Sequence, residues 1–234
     1  IHVLKDNIIW IWVFRNQAIV VDPALSEPVE NFLKNHALNL KAILQTHHHQ
    51  DHIGGTPDLL KLWPKAEVVA STNDMKIPFK TIEVRDGETI SLLGENLQII
   101  EVSGHTKHHI AFFLPSQNQS APILFCGDTL FGGGCGRLFE GTSTDMFNSL
   151  KKLKELPITT KVYCAHEYTE SNLNWANYIC PEDILIKKRL LETIRKRRVG
   201  LSTLPSTILE EKKTNLFLRA KTIDELSELR RSKD

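Results

Sequence analysis

The sequence THHHQDHIGG, residues 46–55, places five side chains that can bind a metal ion within six consecutive positions. In an extended segment residues i and i+2 point the same way, so His47 and His49 are predicted to share one ion while the histidine between them points elsewhere. Asp51 and His52 follow where the chain turns into a helix, and they are predicted to face a second ion. The stretch therefore predicts one loop that serves two metal ions.

Length, composition and charge limit the classes of protein to which this chain can belong. A chain of 234 residues with 41% hydrophobic content can bury a core as one large domain or as a large domain with a smaller companion. The net charge of +1 gives no global reason to expect nucleic acid or an anionic membrane as a partner. The four cysteines contain no CxxC pair, and the apolar run of residues 8–14 is too short to span a bilayer. A soluble cytoplasmic protein is expected.

Five predicted strands are each followed by a side chain that can bind a metal. Polar side chains after strand ends are held by a rigid scaffold, and α/β proteins build sites there, so these side chains are predicted to converge. The pairs are AIVV (18–21) before Asp22, KAILQT (41–46) before His47, LQIIEVSG (97–104) before His105, PILFCG (122–127) before Asp128, and TKVYCA (160–165) before His166.

Helical patterns separate these strands and then dominate the end of the chain. Helices are predicted around residues 27–36, 56–63 and 143–156, and a last helix is predicted to begin with a capping box of Thr222 and Glu225. The segment PSQNQSAP (115–122) predicts a loop. Two domains are expected, a catalytic domain of residues 1–169 and a smaller helical domain of residues 170–234.

Two ions need more ligands than the loop provides, since a catalytic zinc usually takes three or more protein ligands. His105, Asp128 and His166 are the candidates for the remaining positions. A carboxylate has two oxygens, so Asp128 can bridge two cations. A carboxylate ligand also argues against a structural zinc site, which prefers thiolates and imidazoles. Soon after Asp128, the glycines of GGGCG (132–136) suit a backbone that approaches metal or substrate closely.

Several motifs together resemble those of the glyoxalase II (hydroxyacylglutathione hydrolase) family of the metallo-β-lactamase superfamily. The resemblance implies an α/β fold, a four-layered αββα metallo-β-lactamase sandwich with a smaller C-terminal helical domain. The element HxHxDH is typical of the superfamily, and the others are more specific. The motifs are THHHQDHIGG (46–55), GHT (104–106), GDTLFGGGCGRLFEGT (127–142), YCAHEYT (163–169), PST (205–207) and RRSKD (230–234).

The resemblance also implies which residues bind the metals and the substrate. It assigns one ion to His47, His49 and His105, the other to Asp51, His52 and His166, and the bridge to Asp128. For recognition of glutathione it indicates Arg137, Tyr168, Arg230 and Lys233. The chain departs from the family at position 137, which is often Lys, at Phe139, where Tyr is common, and at Lys107-His108-His109, where Ser-Gly-His commonly follows the ligand histidine.

The implied reaction is hydrolysis of S-D-lactoylglutathione, a 2-hydroxyacylglutathione, to D-lactate and glutathione, the second step of methylglyoxal detoxification. Two bound divalent cations would lower the pKa of a shared water toward about 7 and polarise the thioester carbonyl. A thiol of pKa about 8.5 leaves without a strong general acid. Asp51 and Asp128 are the predicted catalytic carboxylates. Zinc is the expected metal, with iron or manganese as alternatives.

Other interpretations stay open at this point. A lactonase or an RNA-processing nuclease of the same fold would share the metal ligands, and a metal-binding regulatory module would not be an enzyme. The basic run of residues 187–198 is either a solvated helix face or an RNA contact. Asp22 is either a turn residue or a carboxylate that orients a ligand histidine. A monomer without nucleic-acid or membrane partners is expected.

Overall fold

The computed structural model describes residues 1–116 and 120–234, and the chain divides into two units. Unit 1 comprises residues 1–101 and 108–115, and unit 2 comprises residues 102–107 and 116–234. Residues 117–119, in the middle of the predicted loop 115–122, lie outside the described residues. The predicted functional boundary after residue 169 stays a prediction.

A five-stranded sheet carries the metal-binding stretch of unit 1. Its strands are β3 (Trp10–Phe14), β4 (Gln17–Val21), β5 (Asn39–Leu44), β6 (Glu67–Ser71) and β7 (Ile82–Val84). They lie in that order, with β3 antiparallel to β4 and the other pairs parallel. Parallel strands that are covered on both faces read as continuous apolar runs, and the last four residues of β4 are all buried.

Five further strands and three helices complete unit 1. The strands β8 and β9 pair antiparallel, as do β9 and β10, and β1 pairs with β2. Apolar side chains of β4, β5 and the first and third helices share one buried core. The elements are β1 (His2–Val3), β2 (Asn7–Ile8), α1 (Ser26–Asn35), α2 (Gln50–Ile53), α3 (Thr56–Leu62), β8 (Thr89–Leu92), β9 (Glu95–Glu101) and β10 (Ile110–Leu114).

Unit 2 combines a few short strands with six helices in its described residues. The strands β11 and β14 pair parallel, β14 and β15 pair antiparallel, and β12 pairs with β13. The elements are β11 (Ile123–Gly127), β12 (Leu130–Phe131), β13 (Gly134–Cys135), α4 (Ser143–Lys154), β14 (Lys161–Cys164), α5 (Thr169–Ile179), α6 (Ile184–Arg198), β15 (Ser206–Thr207), α7 (Ile208–Thr214), α8 (Leu216–Arg219) and α9 (Ile223–Lys233).

All five predicted strands are present, as β4, β5, β9, β11 and β14. Their ends differ from the prediction by up to three residues, and the largest difference is at β9. That strand ends at Glu101, so His105 lies four residues beyond it, in a segment that belongs to unit 2. The predicted helices are also present, as α1, α3, α4, α6 and α9.

The capping of the last helix differs from the prediction in one bond. The hydroxyl of Thr222 accepts the backbone N–H of Glu225 at 3.1 Å, as predicted. The carboxylate of Glu225 accepts from the backbone N–H of Lys221 at 2.7 Å rather than from that of Thr222. A complete capping box occurs instead at α4, between Thr142 and Asp145.

Among residues 1–116 and 120–234, no helix is both long enough and apolar enough to cross a membrane.

The core of unit 1 generates a stability prediction. Leu59 of α3 is fully buried against Val29 and Leu33, whereas Leu62 of the same helix is 46% exposed. We expect Leu59→Ala to lower the free energy of unfolding by about 2–5 kcal/mol because it leaves a cavity, and Leu62→Ala to lower it by less than about 1 kcal/mol. Thermal unfolding measures both, and equal shifts in melting temperature would contradict the described packing.

Candidate metal centre

Two histidines of the stretch 46–55 face each other. The Nε2 atom of His47 lies 3.1 Å from the Nδ1 atom of His49, and their rings meet edge-on with centroids 4.7 Å apart. The residue between them turns away, since Nδ1 of His48 lies 2.9 Å from the carboxylate of Asp74. The predicted alternation of the three histidines is confirmed, and His48 takes a partner that sequence reasoning had not identified.

Asp51 and His52 occupy the first turn of α2. The backbone of His49 at its N-cap is extended, with φ −62° and ψ 146°, and the helix begins at the next residue. Nε2 of His52 lies 3.7 Å from Oδ2 of Asp51. Asn7 donates to that same carboxylate oxygen at 3.0 Å and to the backbone carbonyl of Asp51 at 3.1 Å. Asn7 lies 44 residues earlier in the chain, and no local pattern marks it.

Asp22 connects the strand end to two members of the stretch. Its Oδ1 accepts the backbone N–H of Thr46 at 2.8 Å, and its Oδ2 accepts the hydroxyl of Thr46 at 2.6 Å. The same Oδ2 lies 3.1 Å from Nδ1 of His52. A carboxylate at this distance holds the proton on Nδ1 and leaves Nε2 as the ligand atom, which is the usual arrangement around metal-binding histidines. The geometry thus favours the orienting role for Asp22.

Glycine allows this part of unit 1 to pack closely. A Cβ atom at Gly55 would lie 2.5 Å from the carbonyl carbon of Leu25, which is closer than real Cβ atoms approach. The backbone N–H of Gly55 donates to the carbonyl of Pro23 at 2.8 Å. The loop after β4, which carries Asp22, therefore lies directly against the end of the metal-binding stretch. Asp22 itself has a left-handed backbone with φ +48°, a conformation that aspartate adopts more readily than most residues.

In unit 2, Asp128 stands between two histidines. Its Oδ2 lies 3.4 Å from Nε2 of His105, and its Oδ1 lies 3.4 Å from Nε2 of His166. All three side chains are buried, with 3–6% of their surface exposed. Asp128 follows β11 and His166 follows β14, and because these strands run parallel their carboxyl ends lie at the same edge. The two oxygens of Asp128 face different histidines, as a bridging ligand requires.

The ring of His105 is held from the side opposite Asp128. Its Nδ1 lies 2.8 Å from the backbone carbonyl of Arg137, so Nδ1 donates and Nε2 stays available as a ligand. A Cβ atom at Gly136 would lie 2.0 Å from the carbonyl oxygen of Asp128 and 3.0 Å from Nδ1 of His105. The expectation that the GGGCG stretch brings backbone close to this site is confirmed.

The donor atoms fit divalent cations. Imidazole nitrogens and carboxylate oxygens are ligands that zinc binds, and iron and manganese accept them as well. In unit 1, Asp22, His47 and His52 offer ligand atoms that lie within 4.8 Å of one another. In unit 2, the buried carboxylate of Asp128 faces two imidazoles. Such groups are costly to bury without compensation of charge, and a bound cation supplies that compensation.

Two aromatic side chains stand beside these histidines. The ring of Tyr168 stacks on that of His166, with centroids 4.8 Å apart and planes 4° from parallel. Phe139, where the family commonly has tyrosine, is 64% exposed, and its ring centroid lies 5.3 Å from that of His105. Tyr168 therefore lies beside a predicted ligand, while Phe139 offers an apolar surface without a hydroxyl.

Three predicted substrate-binding cations gather around the C-terminal residue Asp234. Its Oδ1 lies 3.3 Å from Nε of Arg137 and 3.0 Å from Nη2 of Arg230. Arg137 is exposed, whereas Arg230 is 5% exposed and donates to the backbone carbonyl of Cys135 at 2.9 Å. Partial burial, followed by the positive charge of Arg230, lowers the pKa of Lys233. The side-chain carboxylate of Asp234 thus pairs with two arginines, and the adjacent Lys233 adds a third positive charge, a set of charges that favours binding of an anion.

Cys135 lies beside this cluster but is not suited to act as a nucleophile. Burial raises the pKa of its thiol to about 11, although the nearby charge of Arg230 acts in the opposite direction. The thiol is therefore protonated at neutral pH.

The contacts of Asp22 generate a prediction about metal affinity. Asp22→Asn replaces an acceptor facing Nδ1 of His52 by an amide, so we expect zinc affinity to fall by about 10- to 100-fold. Competition with a chelator measures the affinity, and circular dichroism checks the fold. Asp74→Asn is the matched control, because Asp74 makes the equivalent contact to His48, which is not a predicted ligand. Equal affinities in the two variants would contradict the orienting role.

Comparison with known proteins connects this geometry to a family. Residues 4–166 match the metallo-beta-lactamase superfamily, and residues 167–234 match the hydroxyacylglutathione hydrolase C-terminus. The hydroxyacylglutathione hydrolase of Prochlorococcus marinus strain MIT 9211 is 58% identical over 99% of this chain and 93% of its own length.

Solved structures agree with the fold. ETHE1 from Myxococcus xanthus superposes with a TM-score of 0.72 at 25% identity, covering 96% of this chain and 85% of the other. TTHA1623 in a di-iron-bound form superposes with a TM-score of 0.60 at 26% identity, covering 71% of this chain and 89% of the other. The predicted α/β fold of metallo-β-lactamase type with a helical C-terminal region is confirmed. Together with the matching C-terminal region, these findings show that the chain belongs to the hydroxyacylglutathione hydrolase family of the metallo-β-lactamase superfamily.

Proposed function

We propose that this chain is a metal-dependent thioester hydrolase that cleaves S-D-lactoylglutathione and related 2-hydroxyacylglutathiones to the 2-hydroxy acid and glutathione. This reaction is the second step of methylglyoxal detoxification. The observation that carries the proposal lies within unit 2. Arg137, which belongs to the cation cluster around Asp234, also supplies the backbone carbonyl that holds the ring of His105. A site for an anionic substrate is thereby linked directly to a metal ligand.

The proposed ligands follow the family assignment. We assign His47, His49 and His105 to one ion, Asp51, His52 and His166 to the other, and Asp128 to both. The placement of one histidine on each oxygen of Asp128 supports the bridging role. Zinc is the proposed metal, and iron or manganese would use the same donors.

The metal ions and the side chains have different roles in the proposed reaction. Bound divalent cations supply a nucleophile at neutral pH and polarise the thioester carbonyl. Asp51 and Asp128 are the proposed catalytic carboxylates, both as ligands. Asp22 and the carbonyl of Arg137 hold protons on Nδ1 of His52 and His105, so the Nε2 atoms of these rings would be the ones to bind the ions. The departing thiolate needs little protonation because thiols have a pKa of about 8.5.

Glutathione has two carboxylates that the cation cluster can bind. Arg137 is 60% exposed and half-buried Lys233 lies above the ring of Trp175, so both can reach a ligand. Tyr168 and Arg230 complete the proposed substrate set. We further propose that residues 1–169 form the catalytic domain and residues 170–234 the substrate-binding domain, in line with the family matches that meet between residues 166 and 167.

We propose a cytoplasmic monomer whose partner is the small glutathione thioester, without nucleic acid or membrane. The near-zero net charge supports the exclusion of polyanionic partners, and the four cysteines without a CxxC pair fit a reducing compartment.

An assay panel tests the proposed reaction. The purified protein should hydrolyse lactoylglutathione much faster than a lactone or RNA, and elemental analysis should find two metal ions per chain. Asp128→Ala should lose both metal and activity, which would show that the rate belongs to this site. Preferential cleavage of the lactone or the RNA would overturn the substrate assignment, and full activity with a single ion would overturn the binuclear centre.

A second experiment tests recognition of the tripeptide. Arg137→Ala combined with Lys233→Ala should raise KM for lactoylglutathione by about 10- to 100-fold for each charge-assisted hydrogen bond lost, at about 1.5–3 kcal/mol each. Metal content and turnover of a small thioester without the tripeptide should change little. Arg231→Ala, an exposed arginine in the same last turn of α9, is the control. An unchanged KM in the double variant would show that these cations do not bind the substrate.

A further inference from the structure

Residues 131–136, with the sequence FGGGCG and here called the glycine loop, have most of their backbone bonded to side chains of the C-terminal region. Asn215 donates from Nδ2 to the carbonyls of Phe131 at 3.3 Å and Gly134 at 2.9 Å. The other bonds join the Gly132 carbonyl to Asn172 at 2.9 Å, the Gly133 N–H to Glu211 at 2.8 Å, and the Cys135 carbonyl to Arg230 at 2.9 Å.

The three successive glycines of the loop have no side chains that could hold this position. A Cβ atom at Gly132 would lie 2.4 Å from Oγ1 of Thr169, and one at Gly134 would lie 2.5 Å from Nδ2 of Asn172. Gly133 has φ +68°, in the left-handed region. Three successive glycines are flexible in isolation, so the partners decide where the loop lies.

Glu211 is the acidic member of this set of partners. Its side chain is fully buried, and it pairs with Nη2 of Arg189 at 2.6 Å. Asn215 donates to the same carboxylate at 3.1 Å. Burial disfavours the charge on Arg189, but the carboxylates of Glu211 and Glu210 act together in the opposite direction, and the pKa of Arg189 is raised. A buried ion pair does not by itself show that it stabilises the fold. The role of this pair is therefore inferred from its other contacts.

Glu211 contacts the glycine loop, which ends beside the proposed metal ligands Asp128 and His105. The backbone continues from Gly133 to Gly136, which lies against Asp128 and His105, and then to the carbonyl of Arg137, which holds Nδ1 of His105. A displacement of the loop would therefore change the orientation of His105. It would also move the backbone that carries the side chain of Arg137.

We infer that Glu211 is a positioning residue, whose bond to the Gly133 N–H holds the glycine loop so that Arg137 orients His105 for metal binding. Arg189 keeps Glu211 in place, and Asn215 and Asn172 support the same loop. The consequence for catalysis rests on the proposed function, whereas the consequence for metal affinity does not.

Two double variants separate this role from simple stabilisation. Arg189→Met with Glu211→Gln removes both charges but keeps a carbonyl acceptor for the Gly133 N–H. Arg189→Met with Glu211→Met removes both charges and the acceptor. Both variants lose the ion pair and keep similar volumes, so they differ in whether residue 211 can accept from the Gly133 N–H and from Asn215. Arg219→Met, which breaks the ion pair with Asp183 at 2.7 Å elsewhere in unit 2, is the control for general loss of stability.

The primary readout is the affinity for zinc alone, measured by chelator competition on protein shown to be folded by circular dichroism. We expect the variant with Arg189→Met and Glu211→Met to bind zinc about tenfold or more weakly than the variant with Arg189→Met and Glu211→Gln. The zinc affinities of the Glu211→Gln double variant and of Arg219→Met should lie within about threefold of that of the parent chain. With lactoylglutathione, kcat should follow the same order, while KM should change less than in the Arg137/Lys233 variant.

Equal zinc affinities of the two double variants would overturn the positioning role. If the double variants fail to fold, Asn172→Leu removes the donor to the Gly132 carbonyl without touching the ion pair. A weaker zinc affinity is again expected, and an unchanged affinity would overturn the inference. If the parent chain does not cleave lactoylglutathione, the proposed function fails, but the zinc measurements still decide the role of Glu211.

Discussion

Burial of polar and charged side chains away from water is the constraint that organises both sets of proposed ligands. His47, His52 and Asp128 are each at most 6% exposed, and such groups must be compensated by hydrogen bonds or by opposite charge. Asp22 compensates His52 and the Arg137 carbonyl compensates His105, in each case at Nδ1. A divalent cation is a partner that suits the Nε2 atoms of these rings and the carboxylates beside them chemically.

The same constraint gives the C-terminal helices a role beyond substrate recognition. Four side chains of the C-terminal region form hydrogen bonds with the backbone of the glycine loop. They belong to Asn172, Glu211, Asn215 and Arg230. The glycines of this loop allow its backbone to approach Asp128 closely, but they have no side chains with which to hold it there. The helices supply the missing contacts. Arg230 illustrates the overlap, because the same guanidinium belongs to the cation cluster and anchors the loop.

Sequence reasoning located five of the strands and the proposed ligands because both have local signals. Apolar runs predict buried strands, and HxHxDH has a spacing that places alternate side chains on one side. Asn7, Asp74 and Glu211 had no such signal, since each meets its partner across a long separation in the chain and resembles an ordinary polar residue. The capping of α9 shows a similar limit. Thr222 caps as predicted, but the rotamer of Glu225 directs its carboxylate to Lys221 instead.

The sequence by itself determined the family, the strand-then-ligand pattern and the residue types available for two metal ions, because these follow from composition and local spacing. The tertiary structure decided which groups face Nδ1 of His52 and of His105, and that each oxygen of Asp128 faces a different histidine. It also decided that Glu211 reaches the glycine loop, 78 residues away along the chain. These outcomes depend on how distant segments pack, and packing distances are not encoded in any short stretch of residues.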